Sequence, residues 1–149
     1  MPYENFIRDN LIKRQEPDFK QISHQLKRSL KDLKTAEANL KIDVTWSLTI
    51  AYHAMIRAGR ALMFAKGFLP TPKQTHKTIV HCTERILGRD YDVLIRKFER
   101  LRRRRHDFIY DAVNHITMAE AKSSLDTAGK LIHKIVEMVS EIDPEAGLF

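Results

Sequence analysis

Cysteine is almost missing from this sequence of 149 residues: only Cys82 is present. It cannot close an internal disulfide, and without a Cys-x-x-Cys companion it cannot start a structural zinc site, so the economical reading is a reducing, cytoplasmic setting. Glycine and proline number 5 each, too few for a disordered, collagen-like or turn-rich chain. No run of about 20 uncharged apolar residues could span a bilayer. Arg8, Asp9, Lys13 and Arg14 break up the apolar residues near the start, which leaves no signal-peptide core and no membrane association to expect. The phosphate loop GxxxxGK(S/T), the dinucleotide fingerprint GxGxxG, the zinc helix HExxH and the nucleophile elbow GxSxG are all missing. The 7 histidines are scattered, and the adjacent pair His81 and Cys82 lacks the second pair that a zinc site needs. The sequence thus predicts neither a metal nor a cofactor.

What is present is helical periodicity. Residues 1–149 suit one domain with a single core. Residues 1–16 read as a short arm or helix stopped at Glu16 and Pro17. Over residues 18–41, Ile22, Leu26, Leu30, Leu33, Ala36 and Leu40 step by three or four, the pattern of an amphipathic helix. Asp43 can cap a second helix over residues 44–66, which is apolar in nearly every direction and so belongs at the centre of a bundle. Within it, Gly59 implies a close backbone approach, because glycine otherwise weakens a helix interior. Gly67 ends this helix and Pro70 and Pro72 predict an extended loop. A short third helix over residues 78–87 closes at Gly88, with Asp90 placed to cap the next. Thr117 and Glu120 read as a capping box that opens a last helix with Ala121, Leu125, Ala128, Ile132, Ile135, Val139 and Ile142 on one seam. Residues 143–149 form a tail. The predicted fold is all-α, an up-down antiparallel bundle of four main helices with one short additional helix.

The fourth helix carries the unusual chemistry. Leu94, Phe98, Leu101, Phe108 and Ala112 share one stripe, and the missing member of that series is Arg105. Seven of the ten residues from 96 to 105 are basic, and with about 100° between neighbours they cannot all share one solvated face. Arg102, Arg103 and Arg104 read as exposed. Arg105 on the seam calls for an acidic partner, a symmetric copy of the helix, or a phosphate. His106 and Tyr110, four apart, fall on one ridge beside Arg102 or Arg103, which sets a titratable ring and a phenol near fixed positive charge. Arg105, His106 and Tyr110 are therefore the catalytic candidates, and Arg102, Arg103, Arg105 and Asp107 the ligand-binding candidates. The net charge of +7 suits an RNA or nucleotide partner.

Several of these stretches resemble the prokaryotic HEPN domain proteins: Ala51-Tyr52-His53-Ala54-Met55, the run Ala58 to Leu62, Lys66-Gly67, Thr75-His76-Lys77, and Arg105 to Asp111. The resemblance covers about residues 20 to 140. It implies an all-α bundle that forms a homodimer with the late arginine motifs of two subunits in a shared cleft. It also implies a partner, a nucleotidyltransferase of the MNT type, in a toxin–antitoxin or defence context. In nuclease-active members the motif arginine and histidine cleave RNA without metal. Arg105 matches the motif arginine and His106 the polar position after it, but Tyr110 stands where the nuclease pattern has histidine, and a phenol with a pKa near ~10 is a poor base at neutral pH. The favoured reading is thus a dimeric nucleotide- or RNA-binding module acting with a nucleotidyltransferase. The enzymatic alternative is a metal-independent endoribonuclease toxin using Arg105 and His106. A third is a basic helical protein-interaction module without nucleic-acid binding.

Overall fold

The computed structural model describes residues 3–110, the last by its backbone alone, and residues 116–143. Local capping chemistry sets the long helices. The Asp18 carboxylate accepts from the Gln21 N–H at 3.2 Å and opens α2 (Phe19–Asn39). Asp43 does the same through the Trp46 N–H at 3.1 Å and opens α3 (Val44–Ala65). Thr117 accepts from the Glu120 N–H at 3.1 Å and opens α6 (Met118–Ile142). Four residues connect α2 to α3, so the two pack as an antiparallel hairpin. Ile22, Leu26 and Ala36 of α2, Leu48, Tyr52, Met55 and Leu62 of α3, and Leu131, Ile132 and Ile135 of α6 are all within 1% of full burial and form one core.

The first 16 residues are not simply an arm. A one-turn helix α1 (Glu4–Arg8) leads into β1 (Ile12–Arg14), which pairs antiparallel with β2 (Phe68–Pro70), Ile12 opposite Pro70 and Arg14 opposite Phe68. The stretch expected as an extended loop is thus half of a small ribbon. Gly67 makes the turn into it with φ +92°, and its carbonyl accepts from the Gln15 N–H at 2.9 Å. Strands of three residues are too short to show an alternating pattern, which is why the pairing was not legible.

Helix α4 (Thr75–Leu87) starts three residues before the expected point, after Gln74 adopts a left-handed conformation, and Gly88 closes it with φ +82°. A 3-10 turn over Arg89–Tyr91 then precedes α5 (Asp92–Arg105). Asp90 lies inside that turn and does not cap α5, whose preceding residue Tyr91 makes no side-chain cap bond. The turn moves the helix start on by one residue, to Asp92, and takes Asp90 out of position. With 21, 22 and 25 residues, α2, α3 and α6 are the long members, and α4 and α5, with 13 and 14, complete the bundle.

Two details of α6 and α3 bear on packing. Ile142 is 38% exposed although it continues the expected seam. A repeat of 3.5 drifts about 20° per heptad against a helix of 3.6 residues per turn, and by the last turn Ile142 has rotated outward. Gly59 meets the expectation of close approach: a Cβ there would stand 2.7 Å from Ile79 Cγ2 and 2.8 Å from Thr83 Oγ1, both on α4. No helix among the described residues is long and apolar enough to cross a membrane.

Candidate functional site

Three helices bring together side chains far apart in sequence. Tyr52, fully buried on α3, is wedged edge-on against Phe98 and Phe108, with ring centroids 6.3 and 5.7 Å away. Its hydroxyl reaches Nδ1 of His76, in the first turn of α4, at 2.8 Å. From the last residue of α5, the Arg105 guanidinium reaches the same nitrogen at 2.7 Å through Nη1. His53, beside Tyr52 on α3, stands 6.3 Å from His76 ring to ring and nearly perpendicular to it. His76 and Arg105, with Lys77 and Arg102, line an open groove of about 630 Å³.

Electrostatics keep the site's rings neutral. Burial, reinforced by the charge of Arg105, brings His76 down to about 4. His53 is lowered for the same two reasons, with Arg57 adding to them and Asp32 opposing. Burial raises the Tyr52 phenol well above its ordinary range, more than Arg105 and Arg102 can lower it. At neutral pH the positive charge of the site is therefore carried by its arginines and lysine, not by imidazolium.

The arginine run divides by partner. Arg102 donates through Nε to Glu99 Oε1 at 3.0 Å, and Arg103 to the same oxygen at 3.1 Å. Burial pulls the Glu99 carboxyl up, but these two arginines outweigh it and hold the group below its usual range. Arg104 pairs with Glu120 and, at 3.7 Å, with Asp107. Glu120 thus turns to Arg104, and only the Thr117 half of the capping box forms. Of the three arginines expected to be exposed, only Arg103 is, at 74%; Arg102 and Arg104 are mostly covered, at 22% and 28%. Among the described residues no carboxylate pairs with Arg105; it meets a neutral imidazole.

After Arg105 the helix widens into a π turn over His106–Tyr110. The ridge expected for His106 and Tyr110 depends on a Tyr110 side chain that lies outside the described residues. His106 is exposed and Asp107 half-buried. Phe108 returns to the core at 5% exposure. The Tyr110 side chain, Asp111 and Ala112 lie outside the described residues. Tyr52, His53 and His76 carry the family resemblance in the sequence, which assigns them no chemistry. They gain a role because they meet Arg105, and the signal that could have found them was their presence in those same stretches.

Comparison with protein families matches residues 22–139 to the HEPN domain. The chain belongs to the HEPN domain family. Comparison with curated proteins finds no match. The HEPN match starts inside α2 and ends inside α6, so Tyr52, His76 and Arg105 all fall within it, whereas α1 and β1 lie outside. The all-α fold predicted from periodicity is the fold observed, with the small ribbon added to it.

Proposed function

We propose that this HEPN domain binds the phosphates of RNA or of a nucleotide through Arg105 and the basic helix α5. It does so as a homodimer acting with a nucleotidyltransferase partner of the MNT type, in a toxin–antitoxin or defence setting. One observation carries the reading: Arg105 is held at an open groove by an uncharged ring, with no carboxylate paired to it among the described residues. A guanidinium so placed keeps its charge and most of its donors for an anion. Lys77 and Arg102 on the same groove and the net charge of +7 add to the attraction. In this reading Arg102, Arg103 and Asp107 flank the ligand.

The test is binding of a short single-stranded RNA and of mononucleotides, with the solution mass measured in parallel. Arg105→Gln should abolish binding, and added salt should weaken it steeply. A monomer with no affinity for either probe refutes the proposal. The exposed His106, directly after Arg105, supports a second reading in which the pair cleaves RNA without metal and Tyr110 positions the phosphate. RNA decay in EDTA that disappears in both Arg105→Ala and His106→Ala would place this reading first.

A further inference from the structure

We infer that His76 serves this site as a hydrogen-bond donor, its proton fixed on Nε2 by Arg105 and Tyr52, and that it meets an anionic phosphate oxygen in the groove. The inference rests on the phosphate-binding reading and assigns a role to a residue that reading does not use.

The argument begins at Nδ1. Arg105 Nη1 lies 2.7 Å from it, and a guanidinium has hydrogens to give, no lone pair to offer and no accessible deprotonated form. A hydrogen on Nδ1 would therefore face another hydrogen, so Nδ1 must carry the lone pair. The Tyr52 hydroxyl, 2.8 Å from the same atom, is a second donor there, and its burial keeps the phenol protonated. A neutral imidazole with its acceptor at Nδ1 has its hydrogen at Nε2.

Nothing packed around the ring argues for a different state. From α3 come Tyr52 and the neutral His53, and from α5 come the cations Arg102 and Arg105. The Glu99 carboxylate pairs through Oε1 with Arg102 and Arg103, and its Oε2 faces His81 Nε2 at 3.8 Å. The ring therefore has no free site for a proton: Nδ1 is covered by an arginine and Nε2 is already protonated. It does not act as a general base. What it can offer the groove is one N–H, alongside the remaining donors of Arg105 and the charge of Lys77. Neutral N–H donors next to a guanidinium suit the several acceptor oxygens of a phosphate. Tyr52 is then a positioning residue, acting through His76.

Two measurements on the full chain test this. Long-range proton–nitrogen spectra of the 15N-labelled protein at pH 7 should show the His76 hydrogen on Nε2; a hydrogen on Nδ1 overturns the inference whether or not the protein binds RNA. Affinity for a short single-stranded RNA and for inorganic phosphate is then compared between variants whose fold is checked by circular dichroism. His76→Gln, which retains an N–H donor and cannot act as a base, should bind within about threefold of wild type, and His76→Phe should lose about tenfold or more. Unchanged binding by His76→Phe, or equal loss in both variants, overturns the role of His76 alone. RNA decay that His76→Gln abolishes while binding persists would make the ring a base and also overturns it. A wild-type chain that binds neither probe overturns the phosphate-binding reading itself.

Discussion

Gly59→Ala should destabilise the bundle even though alanine is the better helix former. At an exposed helix position the exchange gains about 1 kcal/mol. At Gly59 the new methyl carbon would lie 2.7 Å from Ile79 Cγ2 and 2.8 Å from Thr83 Oγ1. Non-bonded carbons rest at roughly 3.5–4.0 Å, so α4 must retreat by nearly an ångström or its side chains must rotate. Neither residue can turn away easily: both are fully buried, and the Thr83 hydroxyl is tied to the Ile79 carbonyl at 2.7 Å. Overpacking of this kind costs about 1–3 kcal/mol, and with both contacts buried the upper part of that range applies, so a net loss of up to about 2 kcal/mol is left after the helix gain. Gly129→Ala in α6 is the internal control. Its methyl would meet Leu33 Cδ2 at 3.8 Å, an ordinary contact, so the same exchange should stabilise by up to about 1 kcal/mol. Urea denaturation of the three proteins measures both. The reasoning is refuted if Gly59→Ala is as stable as wild type or more so. The same variant reaches the site, because Tyr52 and His76 lie on the two helices being forced apart, and the His76 ring resonances should shift.

Other outcomes follow from single interactions. Between pH 6.5 and about 4 the unfolded chain takes up a proton at His76 that the folded chain refuses, so stability should fall as the pH drops through this window and the contribution of His76 should level off below it. The loss should be about 1–2 kcal/mol after allowing for the ring's partial exposure, read as the difference between wild type and His76→Gln in urea at pH 7 and pH 4.5; parallel curves would refute it. Ile132→Ala, at a fully buried position, should cost about 2–5 kcal/mol in the same assay, and a near-zero cost would overturn the packing of α6. Arg103→Ala should be almost silent for folding, since the side chain is 74% exposed and Arg102 still holds Glu99. Cys82, buried and pushed up to about 11, should resist alkylation at pH 8 in the native chain and react on unfolding; rapid native labelling would contradict its burial.

Local chemistry made most of the bundle legible. Asp43 and Thr117 announce helix starts because a short acceptor side chain can bond the N–H three residues on, and Gly67 and Gly88 announce stops because left-handed backbone favours glycine. The ribbon of β1 and β2 depends on pairing between segments more than fifty residues apart and three residues long, and no periodicity records that. Arg105 was visible as a lone charge on an apolar seam. Its partner was not, because Tyr52 and His76 reach it from 53 and 29 positions away and only the packing of α3, α4 and α5 defines the encounter.

The choice of that partner sets Arg105 apart from its neighbours. Arg102 and Arg104 are covered and each pairs with a carboxylate, Glu99 (shared with Arg103) or Glu120, which weakens the field they present and ties α5 within itself and to α6. Arg105 is oriented with a comparable bond, but the acceptor is a ring that stays uncharged. An uncharged acceptor fixes the direction of the guanidinium without cancelling its field, and the field is left at the groove. Arg105→Lys separates the two contributions, because it preserves the charge and removes the planar fork that reaches His76. If direction matters as well as charge, this variant should lose RNA affinity nearly as far as Arg105→Gln; affinity retained by lysine would show that charge alone suffices at this position.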